Sequence, residues 1–342
     1  MTVSRLHFAH LPTQIEELPR LSAALGGPHL MVKRDDQTGL AFGGNKTRKL
    51  EFLLADARAQ KAKTIITGGA AQSNHCRQTA AAAAKLGFRC IVVLRGDPPA
   101  KFTGNILLDD LLGAEIVWTH DKEREEVMQA VYEKEKAAGD DPYLIPIGGS
   151  NKIGAAAYAD AVRELKEQID SPRSFGDVPN GRGVRGEGFS RICFASSSGG
   201  THAGLTVGAK ALMPQTEVLG ISVDEPLDVL KNNVARIASE TASFLNLPFT
   251  FTPDDIHANT DYIGKGYALM GDYERETIRL LASLEGVLID PVYSGKAFGG
   301  MIDLIRKGVI KKEERVLFWH TGGQMALFAY SDQLTGTAPI KK

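Results

Sequence analysis

What the chain lacks narrows its class before any motif is read. Among 342 residues there are three cysteines, Cys76, Cys90 and Cys193, with no CxxC spacing. Such a sparse, odd set points to reduced thiols in a cytoplasm, and to neither a disulfide framework nor a structural zinc site. The charge balance lacks a dominant sign, with 40 Lys+Arg against 41 Asp+Glu. No basic field is therefore available to hold a nucleic-acid backbone or an anionic membrane. No apolar run approaches the roughly 20 residues that span a bilayer. The opening stretch, MTVSRLHFAHLPTQIEELPR, has no apolar signal-peptide core and carries acids that transit peptides avoid. His10, His29, His120 and His257 show no metal-ligand spacing, so no metal is expected. What remains is an ordinary globular composition, 43% hydrophobic and 24% charged, long enough for one large or two ordinary domains.

Short β-rich runs alternate with longer amphipathic ones. The pattern predicts strands over residues 30–34, 64–67, 89–94, 115–118, 143–147, 191–195, 218–222, 287–290 and 315–320. Helices are predicted over 46–59, 74–86, 122–138, 155–168, 228–244, 273–285 and 296–307. Several strands (IITGG, CIVVL, VLFWH) are continuously apolar, as when helices cover both faces of a parallel sheet. The fold class is therefore α/β, built from βαβ units. The stretch 171–188, rich in Gly, Pro and Arg, reads as an exposed excursion between a helix and a strand.

Five strand-to-helix junctions can carry chemistry. In GGNKTRKLE the paired glycines precede a helix start, which projects Lys46 from a tight turn. The positive helix end and partial burial both disfavour the ammonium, leaving an amine suited to Schiff-base formation. In QSNH, Ser73, Asn74 and His75 open a helix at the carboxyl end of an apolar strand, where open α/β sheets bind ligands. N-capping and carboxylate binding are both available there and are compatible. In SSSGGTHAG, the loop Ser197, Ser198, Gly199, Gly200 and Thr201 can cradle a phosphate through N–H groups and hydroxyls without a lysine. In DPVYSGK, Tyr293 can stack on a planar ring and Ser294 can hydrogen-bond a ring nitrogen. In WHTGG, Thr321 sits where a buried strand ends and can border the same ring. Singly, each of these has an ordinary reading as a cap, a turn or a packed side chain.

Together these motifs, with KRDDQTG, GGSN and LIDPVYSGKAFGGMID, resemble the fold-type II pyridoxal 5'-phosphate (PLP) enzymes. Within them the chain is similar to the family of 1-aminocyclopropane-1-carboxylate (ACC) deaminases and D-cysteine desulfhydrases. The resemblance covers nearly the whole chain. It implies two open, twisted, mainly parallel sheets flanked by helices. It also implies a larger domain of residues 1–47 plus 158–342 and a smaller inserted one of 48–157, with PLP between them. Lys46 matches the Schiff-base lysine, Asn74 the partner of the cofactor's O3′, and Ser197 to Thr201 the phosphate loop. Tyr293 matches the stacking tyrosine, with Ser294 and Thr321 beside the ring. Ser73, with Asn74 and His75, matches the substrate carboxylate site, and Tyr267 in GKGYAL a second active-site tyrosine. A cytoplasmic homodimer acting on a small amino acid is what the resemblance implies.

One departure discriminates within the family. ACC deaminases resemble DPVYEGK, whereas this chain has Ser294 after the tyrosine, a neutral hydroxyl. A neutral partner makes the ring a weaker electron sink, which suits β-elimination better than opening a cyclopropane. The expected reaction converts D-cysteine to pyruvate, hydrogen sulfide and ammonia. L-Cysteate sulfo-lyase chemistry is the first alternative, followed by ACC deamination. A PLP-binding protein without turnover and a nucleotide-dependent oxidoreductase are the rivals of other classes.

Overall fold

Strands that are apolar on both sides need helices above and below, and the chain supplies them in alternation. The computed structural model describes residues 3–171 and 188–335. Its strands are β1 (Ile15–Glu17), β2 (His29–Lys33), β3 (Thr64–Gly69), β4 (Arg89–Leu94), β5 (Glu115–Trp118), β6 (Pro142–Leu144), β7 (Arg191–Ser196), β8 (Glu217–Ser222), β9 (His257–Asn259) and β10 (Arg315–Trp319). The principal helices are α1 (Pro19–Leu25), α2 (Asn45–Ala59), α3 (Asn74–Leu86), α4 (Asn105–Leu111), α5 (Arg124–Ala137), α6 (Lys152–Asp170), α7 (Gly200–Leu212), α8 (Leu227–Phe244), α9 (Asp272–Glu285) and α10 (Ser294–Arg306).

The strands form two sheets. One has six strands in the order β1-β2-β10-β7-β8-β9, parallel except for the antiparallel β1–β2 edge. The other has four strands, β5-β4-β3-β6, all parallel. This is the expected α/β class. Each sheet has its own core. Phe298 and Met301 of α10 pack with Val316 and Phe318 of β10 behind the large sheet. Leu50, Leu53 and Leu54 of α2 pack with Ile65 and Val92 behind the small one. Helix α2 thus seats the turn bearing Lys46 on the small sheet's core. Helices α2 and α6 run unbroken through residues 47–48 and 157–158.

Three expectations need correction. Residues 287–290 form no strand: all but Leu288 are buried, but they carry no ladder. Their anchor is a hydrogen bond from His320 Nε2 to the Leu288 carbonyl, 2.9 Å, so the apolar pattern marks burial without pairing. The strand predicted over 143–147 ends at Leu144, where Pro146 follows and Ile147–Gly149 turn into a short 3-10 helix. Helices α1 and α4 were not predicted, being seven residues each and too short to show a periodicity. The excursion 172–187 lies outside the described residues.

Candidate active site

The carboxyl ends of the strands converge on a cavity of about 840 Å³. Lys46, Ser73, Asn74, His75, Tyr267 and Tyr293 all line it, as do Ser197, Ser198, Gly199, Thr201 and Thr321. Residues from both sheets, separated by more than 200 positions, therefore share one chamber.

Lys46 is the second residue of α2. The turn before it is closed to any side chain: a Cβ on Gly43 would meet the Asp36 carbonyl oxygen at 2.3 Å, and one on Gly44 the Gln78 amide at 2.6 Å. Both glycines have positive φ, 69° and 125°. The amine donates to Asn45 Oδ1 at 2.9 Å. Burial, and then the neighbouring Arg77 guanidinium, pull its pKa from 10.5 to about 8 against the attraction of Asp290. A substantial neutral fraction near physiological pH is what imine formation requires.

The small-sheet wall is α3. Ser73 caps it, accepting from Cys76 N at 3.2 Å, so its hydroxyl proton is still free to be given to a ligand. Asn74 Oδ1 accepts from Asn105 Nδ2 at 2.8 Å. That orients the Asn74 amide NH₂, a donor suited to a phenolic oxygen. Arg77 clamps the arrangement, donating to Asn105 Oδ1 (2.8 Å) and to the Gly43 carbonyl (2.7 Å). His75 is held neutral by burial and then by Lys46 and Lys49. Thr67 gives its one proton to the Ile145 carbonyl (2.9 Å), so His75 Nε2 must donate to Thr67 Oγ1 (2.8 Å), leaving Nδ1 as an acceptor.

The large-sheet wall begins with the loop between β7 and α7. Gly199 adopts φ +83°, and a Cβ on Gly200 would lie 2.7 Å from Ser150 Oγ and 2.9 Å from Lys49 Nζ. This close-packed turn opens α7, whose first N–H groups have no intrahelical partner. Thr201 Oγ1 accepts from Asn45 Nδ2 at 3.0 Å, leaving its own proton to donate. Ser198 Oγ meets Ser150 Oγ at 2.8 Å. Ser197 is spent differently, on Asp224 Oδ2 at 2.8 Å. Tyr293 and Tyr267 meet hydroxyl to hydroxyl at 2.5 Å with their rings edge to face. Burial raises both phenols, Tyr267 to about 12.

Ser294 follows Tyr293 at the start of α10. It is fully buried but does not line the cavity, because its hydroxyl caps the turn, donating to Asp290 Oδ1 at 2.6 Å and accepting from Asp290 N at 3.0 Å. Gly200 likewise lies behind the lining residues.

The sequence alone does not place Lys49 in the pocket. It lies three residues from Lys46 on one face of α2, and its buried ammonium has a single hydrogen bond, to the Gly148 carbonyl at 3.0 Å. Burial and the adjacent Lys46 press its pKa well down. The i, i+3 spacing in KTRK was the available signal. A cation with donors to spare beside the 198–201 cradle, a reactive lysine and an oriented amide together fit PLP. Among the described residues no His/Cys/Asp/Glu cluster suits a metal, and no helix is long and apolar enough to cross a membrane.

Two open α/β sheets with a buried lysine, a Ser/Gly loop at a helix start and an edge-to-face tyrosine pair around one cavity suit a cofactor enzyme that works through an amine. The chain belongs to the pyridoxal-phosphate dependent enzymes, whose family model matches residues 6–322, in the fold-type II group. It is 43% identical over 332 residues to the D-cysteine desulfhydrase of Salmonella typhimurium, covering 95% of this chain and 96% of the relative. The Salmonella newport D-cysteine desulfhydrase is 42% identical over the same length. A crystal structure of an ACC deaminase homologue superposes with a TM-score of 0.84 at 37% identity, over 97% of this chain and 95% of that one. O-ureido-L-serine synthase, at 16% identity and a TM-score of 0.64, shares the fold.

Proposed function

We propose that the protein is a D-cysteine desulfhydrase: D-cysteine and water give pyruvate, hydrogen sulfide and ammonia. The observation that carries this reading is the Lys46 amine, lowered to about 8 and facing the same cavity as Ser73, Asn74 and the paired tyrosines. When bound, PLP supplies an electron-withdrawing ring that acidifies the substrate's Cα–H bond. Lys46 would accept that proton. The electron pair left at Cα becomes the Cα–Cβ double bond as the Cβ–S bond breaks and its pair leaves with sulfur. Ser73 and the first turn of α3 would hold the carboxylate. Lys49, Thr201 and the 198–201 backbone would hold the phosphate, Asn74 the O3′ and Tyr293 the ring face, with Thr321 at the ring's edge. Because burial holds both tyrosines protonated, they are donors, not bases. One phenol donates to the other, and the second proton of the pair is available to the departing sulfur.

A second reading, elimination of sulfite from L-cysteate, is favoured by one observation. Arg95 and Arg124 also line the cavity. Among the described residues the Arg95 side chain has no hydrogen-bond or ion-pair partner, and Arg124, paired through Nη2 with Glu125 at 3.2 Å, keeps a buried Nε without one, so both have donors left for an anionic β-substituent. The test is product release from D-cysteine, L-cysteine, L-cysteate and β-chloro-D-alanine (pyruvate) and from ACC (2-oxobutyrate). Turnover of D-cysteine and β-chloro-D-alanine with L-cysteate inert supports the desulfhydrase. Preference for L-cysteate moves the assignment to a sulfo-lyase, and the absence of any keto acid overturns both.

The division into 1–47 plus 158–342 and 48–157 is proposed as a functional one, with α2 and α6 shared as the joints. A cytoplasmic homodimer completes the proposal. The exposed Phe42, Leu111 and Phe328 side chains are apolar surface that an association can cover, and sedimentation of the purified protein tests it.

A further inference from the structure

Tyr267 lies in residues 260–271, a stretch without helix or strand. Gly264, Gly266 and Ala268 there adopt positive φ, a path that local propensity alone does not enforce. Something outside the stretch must hold it. Glu274 Oε2 accepts from Gly271 N at 2.7 Å, and Tyr330 donates to the Ala268 carbonyl at 2.7 Å. Tyr262 donates to Asp303 Oδ2 at 2.7 Å, and a further strut is Lys296. Its side chain is fully buried, and its Nζ donates to the carbonyls of Ile263 and Gly266, the latter at 2.7 Å, with Glu274 Oε1 at 3.8 Å. Two backbone carbonyls and a carboxylate around one buried positive charge are the ligand set of a cation site. Here the cation is tethered to the chain.

The placement of the tether matters. Lys296 is three residues beyond Tyr293 on the opening turn of α10, so one helical turn carries a tyrosine and the clamp that sets its partner. Gly266, the clamped carbonyl, is the residue before Tyr267. A loosened Gly266 therefore moves the phenol that meets Tyr293 at 2.5 Å.

We propose that Lys296 is a positioning residue whose ammonium acts as a built-in monovalent cation, fixing the 263–267 segment so that Tyr267 meets Tyr293. This rests on the reading that Tyr267 serves the active site. It goes beyond that reading in predicting an ion dependence for a variant that lacks the ammonium.

The experiment uses the PLP-loaded enzyme and its Lys296→Ala variant, assayed with the best substrate of the panel above. Both are measured in potassium, lithium and choline chlorides at equal ionic strength, since general screening acts alike in all three. The variant should keep its cofactor absorbance and near-UV circular dichroism but lose kcat by about 100-fold in choline, the loss typical of a misplaced reacting group. Potassium should restore about tenfold of it, an improvement worth some 1.4 kcal/mol of barrier, while lithium and the wild type show no such effect. Equal activity in all three salts with fold and cofactor intact overturns the proposal, as does wild-type activity in choline. Should Lys296→Ala fail to fold, Lys296→Met keeps the stem and is read by a double-mutant cycle with Tyr267→Phe. Additive losses overturn the proposal, and a Lys296→Met loss that vanishes in the Tyr267→Phe background supports it. A Tyr267→Phe variant with wild-type kinetics sinks instead the underlying reading of Tyr267.

Discussion

Two regions fed by the same four residues behave in opposite ways. In Lys46-Thr47-Arg48-Lys49, the arginine points back into the protein and the two lysines point into the cavity. Arg48 makes two hydrogen bonds with Asp35 and two with Glu164, all 2.8 Å, plus one to Thr13 Oγ1 at 3.1 Å. Lys33 joins through Glu164 and Tyr158 through Asp35. That network is charge-paired, so Arg48 is held well above its ordinary pKa and Asp35, despite its burial, falls to about 2. On the cavity face neither Lys46 nor Lys49 has a carboxylate in contact among the described residues, and Lys46, Lys49 and His75 are all pushed down. Buried charge that is paired is architecture, whereas buried charge that is under-paired is a place for an anion.

The largest effect expected is at Lys46. Lys46→Ala should lower turnover by at least the roughly 10²–10⁴-fold typical of a lost general base, with an unfolding midpoint close to wild type. A Lys46→Ala enzyme with normal keto-acid release would remove the distinction between the two faces. Arg48→Met should do the reverse. Stranding Asp35 and Glu164 costs about 3–5 kcal/mol, the usual penalty for breaking a buried pair from one side, read as a lower urea midpoint at unchanged slope. Whatever protein stays folded should retain its turnover number.

Lys49 tests the comparison from inside the cavity. Lys49→Met removes an ammonium whose burial is poorly compensated, so the cofactor-free protein should be at least as stable as wild type by thermal unfolding. PLP affinity should fall by about 10–100-fold, the worth of one hydrogen bond to a charged group at about 1.5–3 kcal/mol. A variant with lower stability and unchanged PLP affinity would place Lys49 with Arg48 as architecture.

The sequence made only part of the cavity face legible. Lys46, Ser73, Asn74 and the 198–201 loop were readable because tight turns and helix starts demand particular residue types at fixed offsets. Both sheets were readable for the same reason: β3, β4 and β10 are continuously apolar. Lys49 and Lys296 were not, because a buried lysine looks like a surface one until its partners, 99 and 33 positions away, are known. Ser294 shows the limit from the other side. Its place after Tyr293 suggests a ring contact, and its hydroxyl also donates to Asp290, a partner four positions back that the motif does not announce. Residues 287–290 likewise carried a strand's apolar pattern although they join no ladder, since burial leaves the same mark as pairing.

The smallest effect, and the one that separates the faces by pH window, is pH dependence in the cofactor-free protein. Folding lowers the Lys46 pKa from 10.5 to about 8, so between those values the unfolded chain binds more protons than the folded one. Stability must then rise with pH across that window as the penalty for burying the ammonium disappears. Asp35 is lowered from 3.8 to about 2. Its stabilisation is complete above 3.8 and is lost as the pH falls towards 2. Urea unfolding of the apoprotein at pH 8, 9 and 10 should show the rise in wild type and a smaller one in Lys46→Met, where the titrating group is gone. The same amine must be neutral to react with an aldehyde. The rate at which apoprotein takes up PLP should therefore climb about tenfold per pH unit below 8 and level off above it, following the fraction of free base. A flat uptake profile from pH 6 to 9 would mean that Lys46 is already neutral throughout, and that the pull of Asp290 on its ammonium is weaker than the geometry implies.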